Sequence, residues 1–301
     1  MRILTVLGPT ASGKTRLAVE LAGKINGAII SADSRQVFRG MDIGTGKDLQ
    51  EYGSVPYYLI DIREAGEEYH VAAFREDFIV ALSQITARGR VPVLCGGTGL
   101  YIQAALRGLP FAAVPVNPEL RLDLENKSNA ELLALFHSIP SAYSARADTS
   151  TRKRLLRAIE IGRYLQQNVL EIKESPLFDP LVIGISLSPE TRRERITERL
   201  HRRLASGFLE EVQRLLDEGV NREKLFFYGL EYKFAAMHLA GELDYPTMVS
   251  RLNTAIHQFA KRQMTFFRKL EKDGLKIHWI NGALPLETQV KTALALMDTG
   301  R

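Results

Sequence analysis

The chain has 301 residues, a formal net charge of +5, a pI of about 9.2, and 45% hydrophobic and 25% charged residues, an ordinary globular composition that allows one large domain with an insertion or two domains. Its single cysteine, Cys95, excludes an intrachain disulfide and a Cys-rich zinc site, and no apolar run approaches the roughly 20 residues needed to span a membrane. The mild basicity points to a polyanionic partner, and a reducing, cytoplasmic location is expected.

In chain order, Ile3–Leu7 reads as a strand, beginning so early that no signal peptide is expected. It runs into Gly8-Pro-Thr-Ala-Ser-Gly-Lys-Thr15, which fits the phosphate-loop pattern G-x-x-x-x-G-K-[ST] between a strand and a helix. Backbone N–H groups from Thr10 to Thr15 are expected to wrap a diphosphate at the helix N-terminus. Lys14 would add a point charge, and the Thr15 hydroxyl would be a ligand of Mg²⁺. The loop alone leaves open a kinase or nucleotide hydrolase binding ATP, a group transferase, or a ligand-free turn.

Further strands are expected at Ala28–Ala32, Tyr57–Asp61 and Val91–Cys95, with a helix over His70–Ala87. The fold class expected is α/β, a parallel sheet of the P-loop NTPase kind covered by helices, with a mainly helical insertion. Ligands then gather at the carboxyl ends of the strands, where Gly8–Thr15, Asp33–Gln36 and Gly96–Tyr101 should converge. Asp33, at the tip of the second strand, suits a general base, a partner of a metal's ligands, or a helix N-cap. Gly96-Gly-Thr-Gly99 allows close backbone approach to a ligand, with the Thr98 hydroxyl turned to the same crevice. Cys95 is expected to be structural.

Between Val114 and Pro180 the strand pattern stops, and Pro115, Pro118, Pro140 and Pro176 punctuate helices that include Glu131–His137 and Thr151–Leu165. The expected domains are therefore 1–113 as the first part of the core, 114–180 as the insertion, and 181–301 as the mostly helical second part. Strands at Leu181–Leu187 and Lys276–Ile280 flank helices at Pro189–Ser206, Phe208–Glu218 and Tyr245–Leu270. Arg192, Arg195, Arg199, Arg202 and Arg203 fall on one helical face, with Ile196, Leu200 and Leu204 beside them. Arg152–Arg157 and the set His257, Lys261, Arg262 and Arg268 make two more basic helices. Together they suit either a nucleic-acid groove or solvated faces, and some arginines could reach a diphosphate. The histidines show no metal-ligand spacing.

Taken together, Gly8–Thr15, Asp33-Ser34, Gly40-Met-Asp-Ile-Gly-Thr45, Asp61-Ile-Arg63, Gly96-Gly-Thr98 with Tyr101, and Ala260-Lys-Arg-Gln263 resemble the tRNA dimethylallyltransferases (tRNA isopentenyltransferases), in order over nearly the whole chain. The resemblance implies transfer of a dimethylallyl group from dimethylallyl diphosphate to N6 of the adenine 3′-adjacent to the anticodon in tRNA. It implies that Gly8, Pro9, Thr10, Ala11, Ser12, Gly13, Lys14 and Thr15 bind the donor's diphosphate, with Mg²⁺ at Thr15. It makes Asp33 the base, sets Thr98 near the breaking bond, and gives Arg199 the leaving diphosphate. Asp33, Ser34, Arg35, Gln36, Thr98, Arg121, Lys153, Arg154, Leu155, Leu156 and Arg157 would face tRNA, and the insertion would grip the anticodon stem. The family's Gly-Tyr-Lys/Arg-Glu segment reads Gly229-Leu-Glu-Tyr-Lys233 in this chain, and the zinc finger of some eukaryotic members is missing, as in bacterial members. A monomer is expected. The competing readings are an adenylate (AMP, ADP or ATP) isopentenyltransferase, a P-loop small-molecule kinase, and a non-catalytic RNA-binding protein.

Overall fold

The computed structural model describes residues 2–141, 143–170 and 178–299. The chain divides into two units, one of Met1–Arg107 with Pro176–Arg301 and one of Gly108–Ser175. Pro176, expected to punctuate the insertion, and the rest of 171–177 lie outside the described residues.

The first unit opens with β1 (Arg2–Leu7), α1 (Lys14–Lys24), β2 (Gly27–Ser31), β3 (Tyr57–Tyr58), α2 (Val71–Ala87), β4 (Val91–Gly96) and α3 (Gly99–Arg107). All sheet pairings are parallel, in the order β3-β2-β4-β1 on this side. Strands covered on both faces read as continuous apolar runs, and Ile3, Leu4, Val6 and Leu7 are all buried. Leu17, Ala18, Leu21 and Ala22 make the stripe that seats α1 on the sheet, against Val6, Ile29 and Val93.

The expected strand Tyr57–Asp61 stops after two residues. Leu59 (φ 63°) and Asp61 (φ 55°) take left-handed backbone, which ends the pleat and turns the chain away. The turn has a use: the Asp61 carboxylate reaches Lys47, a fully buried cation that also donates to Asp42 (2.6 Å) and to the Phe38 carbonyl (2.7 Å). A buried ammonium is tolerated only with such partners.

The second unit holds α4 (Pro118–Asp123), α5 (Asn129–His137) and α6 (Arg152–Gln167). Ser128 and Glu131 form a reciprocal capping box at α5, and Thr151 caps α6. Leu120, Leu124, Leu132, Phe136, Leu155 and Ile159 are its core. Glu160 is the acidic member of the buried stripe of α6. It accepts from Arg121 Nε (2.7 Å) and Nη2 (2.9 Å), the Asn117 amide (3.1 Å) and Arg157 Nη1 (3.2 Å). Burial pushes its carboxyl up, but these donors outweigh burial and hold it below the ordinary carboxylate value. A depressed carboxyl stabilises the fold above its unfolded value, about 4.3, and that stabilisation is lost as pH falls through the folded value. Glu160→Ala is accordingly expected to cost about 1–3 kcal/mol at neutral pH by unpairing two guanidiniums and an amide. The difference from the unaltered protein should shrink below about pH 4, as checked by urea unfolding across that range.

The chain returns through β5 (Asp179–Ser186), then α7 (Pro189–Ala205), α8 (Phe208–Asp217), α9 (Arg222–Phe227), α10 (Leu230–Leu239), α11 (Tyr245–Lys272), β6 (Ile277–Asn281) and α12 (Leu286–Thr299). β5 adds beside β1 and β6 beside β5, completing the order β3-β2-β4-β1-β5-β6. α7 and α11 share an apolar seam of Ile196, Leu200, Met248, Leu252, Ile256 and Ala260. Among the described residues no helix is long and apolar enough to cross a membrane.

Candidate active site

The sheet order places β2, β4 and β1 side by side, so the three polar turns expected at the strand ends are neighbours. Between them and α7, α9, α10 and α11 opens a cleft of about 510 Å³ within the first unit. Its floor is Thr10, Lys14 and Thr15; one wall carries Asp33–Gln36 and Gly96–Leu100; the facing wall carries Arg199, Arg203 and Gln263.

The Gly8–Thr15 loop is curled by left-handed Ala11 (φ 60°) and Gly13 (φ 86°), the latter at the N-terminus of α1. Two of the amides expected to wrap an anion are already taken. Thr10 N–H donates to Gln263 Oε1 (2.9 Å) and Ser12 N–H to the Pro9 carbonyl (3.3 Å). The amides left for an anion are therefore those of Ala11, Gly13 and the first turn of α1.

Gln263 is the polar member of the buried stripe of α11 (Met248, Leu252, Ile256, Ala260, Gln263, Phe267, Leu270). Its Nε2 donates to the Gly97 carbonyl (2.8 Å) while its Oε1 holds Thr10, so one amide ties two turns together. Its place in an otherwise apolar stripe was the signal in the sequence. The motif Ala260–Gln263 contributed only to the resemblance.

Asp33 does not cap a helix. Its Oδ1 accepts from the Arg35 amide (2.9 Å) in a turn, and its carboxylate lines the cleft with no ion pair among the described residues. Thr98 sits against it: Thr98 Oγ1 accepts from the Ser34 amide (3.2 Å), and Thr98 N–H donates to the Ala32 carbonyl (3.2 Å). This contact requires glycine at 96, where an added Cβ would stand 2.2 Å from the Ala32 carbonyl oxygen. Gly96→Ala must part β2 from β4, with an expected loss of about 1–3 kcal/mol visible in thermal unfolding.

Lys14, Arg199 and Arg203 make the floor and far wall cationic. The Lys14 ammonium has no hydrogen bond or ion pair among the described residues, and burial pushes its pKa below the ordinary lysine value. Arg199 donates through Nη2 to the Thr10 hydroxyl, and its guanidinium is pulled down by burial first and by Arg203 next. Cations pressed together out of water are relieved by an anion, so this half of the cleft is built for one. Cys95, at the edge of the cleft, has its thiol pushed up to about 12 by burial, which makes it inert.

The arginines of α7 do not act as one face. Arg199 and Arg203 enter the cleft, Arg202 pairs with Glu198 in solvent, and Arg192 lines a separate hollow of about 140 Å³ with Arg193, His257 and Lys261. Of the residues expected to meet tRNA, Asp33, Ser34, Arg35, Gln36 and Thr98 line the cleft. Gln36 spends its amide on Ser31 (3.0 Å) and the Gly46 carbonyl (3.0 Å), which makes it a brace. Lys153 and Arg154 are exposed, Arg154 paired with Asp148 (3.0 Å). Leu155 is a correction, because it is buried in the core of the second unit. Leu156 packs against that core, and Arg121 and Arg157 serve Glu160.

Aromatic rings at the cleft, absent from the sequence-based set, are exposed in part: Phe226 and Phe227 on α9 and Phe259 on α11, with Arg35 5.2 Å from the Phe227 ring. Exposed π faces beside cations suit stacked bases.

A family profile described as IPP transferase matches residues 36–270, and one described as isopentenyl transferase matches residues 1–61. The chain is 50% identical over 298 residues to tRNA dimethylallyltransferase 2 of Porphyromonas gingivalis, covering 98% of both chains. It is 54% identical over 282 residues to tRNA dimethylallyltransferase 2 of Trichlorobacter lovleyi, covering 93% of this chain and 92% of the relative. A crystal structure of tRNA delta(2)-isopentenylpyrophosphate transferase from Staphylococcus epidermidis superimposes with a TM-score of 0.72 at 32% identity, over 100% of this chain and 99% of that one.

Proposed function

Since the chain belongs to the IPP transferase family, with bacterial tRNA dimethylallyltransferases as near full-length relatives, we propose that it transfers a dimethylallyl group from dimethylallyl diphosphate to N6 of the adenine 3′-adjacent to the anticodon in tRNA. The observation that carries the reading is one cleft with a cationic floor facing Asp33 and Thr98. An anionic leaving group belongs on the first side and a proton acceptor on the second.

The donor's diphosphate lies on the first turn of α1 against Lys14, Thr15 and Arg199. The adenine, lifted from its stack at a cost of a few kcal/mol, enters along Asp33–Gln36 and Thr98. N6 forms a bond to C1 of the dimethylallyl group as the C1–O bond breaks. The diphosphate leaves with the electron pair, and Asp33 takes the N6 proton. An exocyclic amine is a weak nucleophile, so neutralising the charge that grows on the diphosphate carries much of the acceleration.

Mg²⁺ belongs to the same proposal. Among the described residues no group of three or more His, Cys, Asp or Glu side chains is placed to hold a metal. The Thr15 hydroxyl, with Asp33 in the same cleft, fits an ion that keeps its waters and takes phosphate oxygens. When bound, it would neutralise part of the charge on the diphosphate.

The test is incubation with labelled dimethylallyl diphosphate and, separately, unmodified tRNA, AMP or ATP. Label is expected in tRNA alone; label in AMP but not in tRNA would replace this reading with an adenylate isopentenyltransferase. A phosphorylated product from ATP would replace it with a kinase.

A further inference from the structure

The mechanism above does not use Arg203. It follows Arg199 by one turn on α7, is nearly buried, and reaches the cleft from the same side. Its Nη1 donates to the Gly44 carbonyl (3.0 Å) and lies 3.9 Å from Glu231 Oε1. Its Nη2 is buried with no hydrogen-bond partner among the described residues.

The position of this guanidinium is built. Residues 42–44 are held by Glu211, the acidic member of the buried stripe of α8. Its Oε2 accepts from the amides of Asp42 and Ile43 (both 2.7 Å), and its Oε1 accepts from Gly44 (3.0 Å) and from the Tyr232 hydroxyl (2.6 Å). That frame fixes the carbonyl on which Arg203 rests. At Gly46 an added Cβ would stand 1.6 Å from Nη2, so the bare glycine is what lets the guanidinium lie there. Within Gly229-Leu-Glu-Tyr-Lys233, Glu231 is the acid that Arg203 faces.

A guanidinium held rigidly beside two other cations costs free energy until a counter-charge enters the cleft. The ligand must be anionic, because Lys14 and Arg199 share the same field and a single carboxylate at 3.9 Å offsets only part of it. We propose that Arg203 is a second arginine of the donor site, its guanidinium adding to the positive field that Lys14 and Arg199 set on the diphosphate, with Glu211 acting as a positioning residue through the Gly44 carbonyl.

The assignment rests on reading the cleft as a diphosphate site, and the two can fail separately. The probe is inorganic diphosphate with Mg²⁺, titrated calorimetrically into the full-length protein, R203M and R203K. Met keeps the apolar stem and removes the charge, whereas Lys keeps a point charge without the fork. R203M is expected to bind diphosphate about 10- to 100-fold more weakly, and R203K to fall between it and the unaltered protein. Melting of both variants without ligand is measured alongside, so that a loss of binding is read only from folded protein. Affinity for tRNA without donor should be unchanged. Undiminished diphosphate binding by folded R203M or R203K overturns the assignment. So does lost tRNA affinity with diphosphate binding intact, which would give Arg203 to a phosphodiester. Failure of the unaltered protein to bind diphosphate would instead remove the functional reading beneath it.

Discussion

Asp33→Asn is expected to lower kcat by about 10²- to 10⁴-fold while binding of tRNA and of diphosphate persists. Asparagine keeps the shape and, through Oδ1, the acceptor for the Arg35 amide at 2.9 Å. Ser34 stays held by Thr98. In the proposed mechanism what disappears is the group that takes the N6 proton, so the loss should fall on kcat and leave KM for tRNA little changed. The check is single-turnover prenylation beside filter-binding of the same tRNA. Turnover at the unaltered rate in D33N would remove its role as base.

Arg199→Met should reduce kcat by about 10²- to 10³-fold, the usual scale for losing one preorganised donor to a developing anion. Arg199 is half-buried and oriented by the Thr10 hydroxyl, so it is in place before the C1–O bond lengthens. Charge on the leaving diphosphate grows along the reaction coordinate, which makes the contact worth more in the transition state than in the ground state. Arg199→Lys, with a point charge in place of a planar fork, should recover part of the rate. A variant with raised KM for the donor and unchanged kcat would show that Arg199 binds substrate without favouring the transition state.

Much of this site was legible residue by residue. The Gly8–Thr15 loop announces itself because a strand, a spaced pair of glycines and a Lys-Thr helix start are local features. Asp33 and Thr98 could be named because chain turns at the carboxyl ends of parallel strands meet whatever the strand order. The helices expected over 189–206 and 245–270 are present as α7 and α11, and the structure adds the caps Ser188 and Asp244 that start them. The strand through Asp61 was overextended because its end depends on two left-handed residues and on a buried lysine fourteen positions earlier. The resemblance set Arg121 and Lys153–Arg157 against tRNA; Leu155 instead lies in the core of the second unit, and Arg121 and Arg157 pair with Glu160, a partner that no spacing in the sequence announces.

By itself, then, the sequence determined the class of fold, the glycine-rich loop between β1 and α1 and the polar turns after β2 and β4, since each depends on neighbours within a few positions. Only the tertiary structure decided which strands stand together, that Gln263 closes the loop 253 positions away, and that Arg199 and Arg203 turn inward while Arg202 meets solvent. The physical reason is the same in each case. A polar residue on an apolar helical stripe must find its partner across the chain, and spacing shows that it is buried but not what it touches.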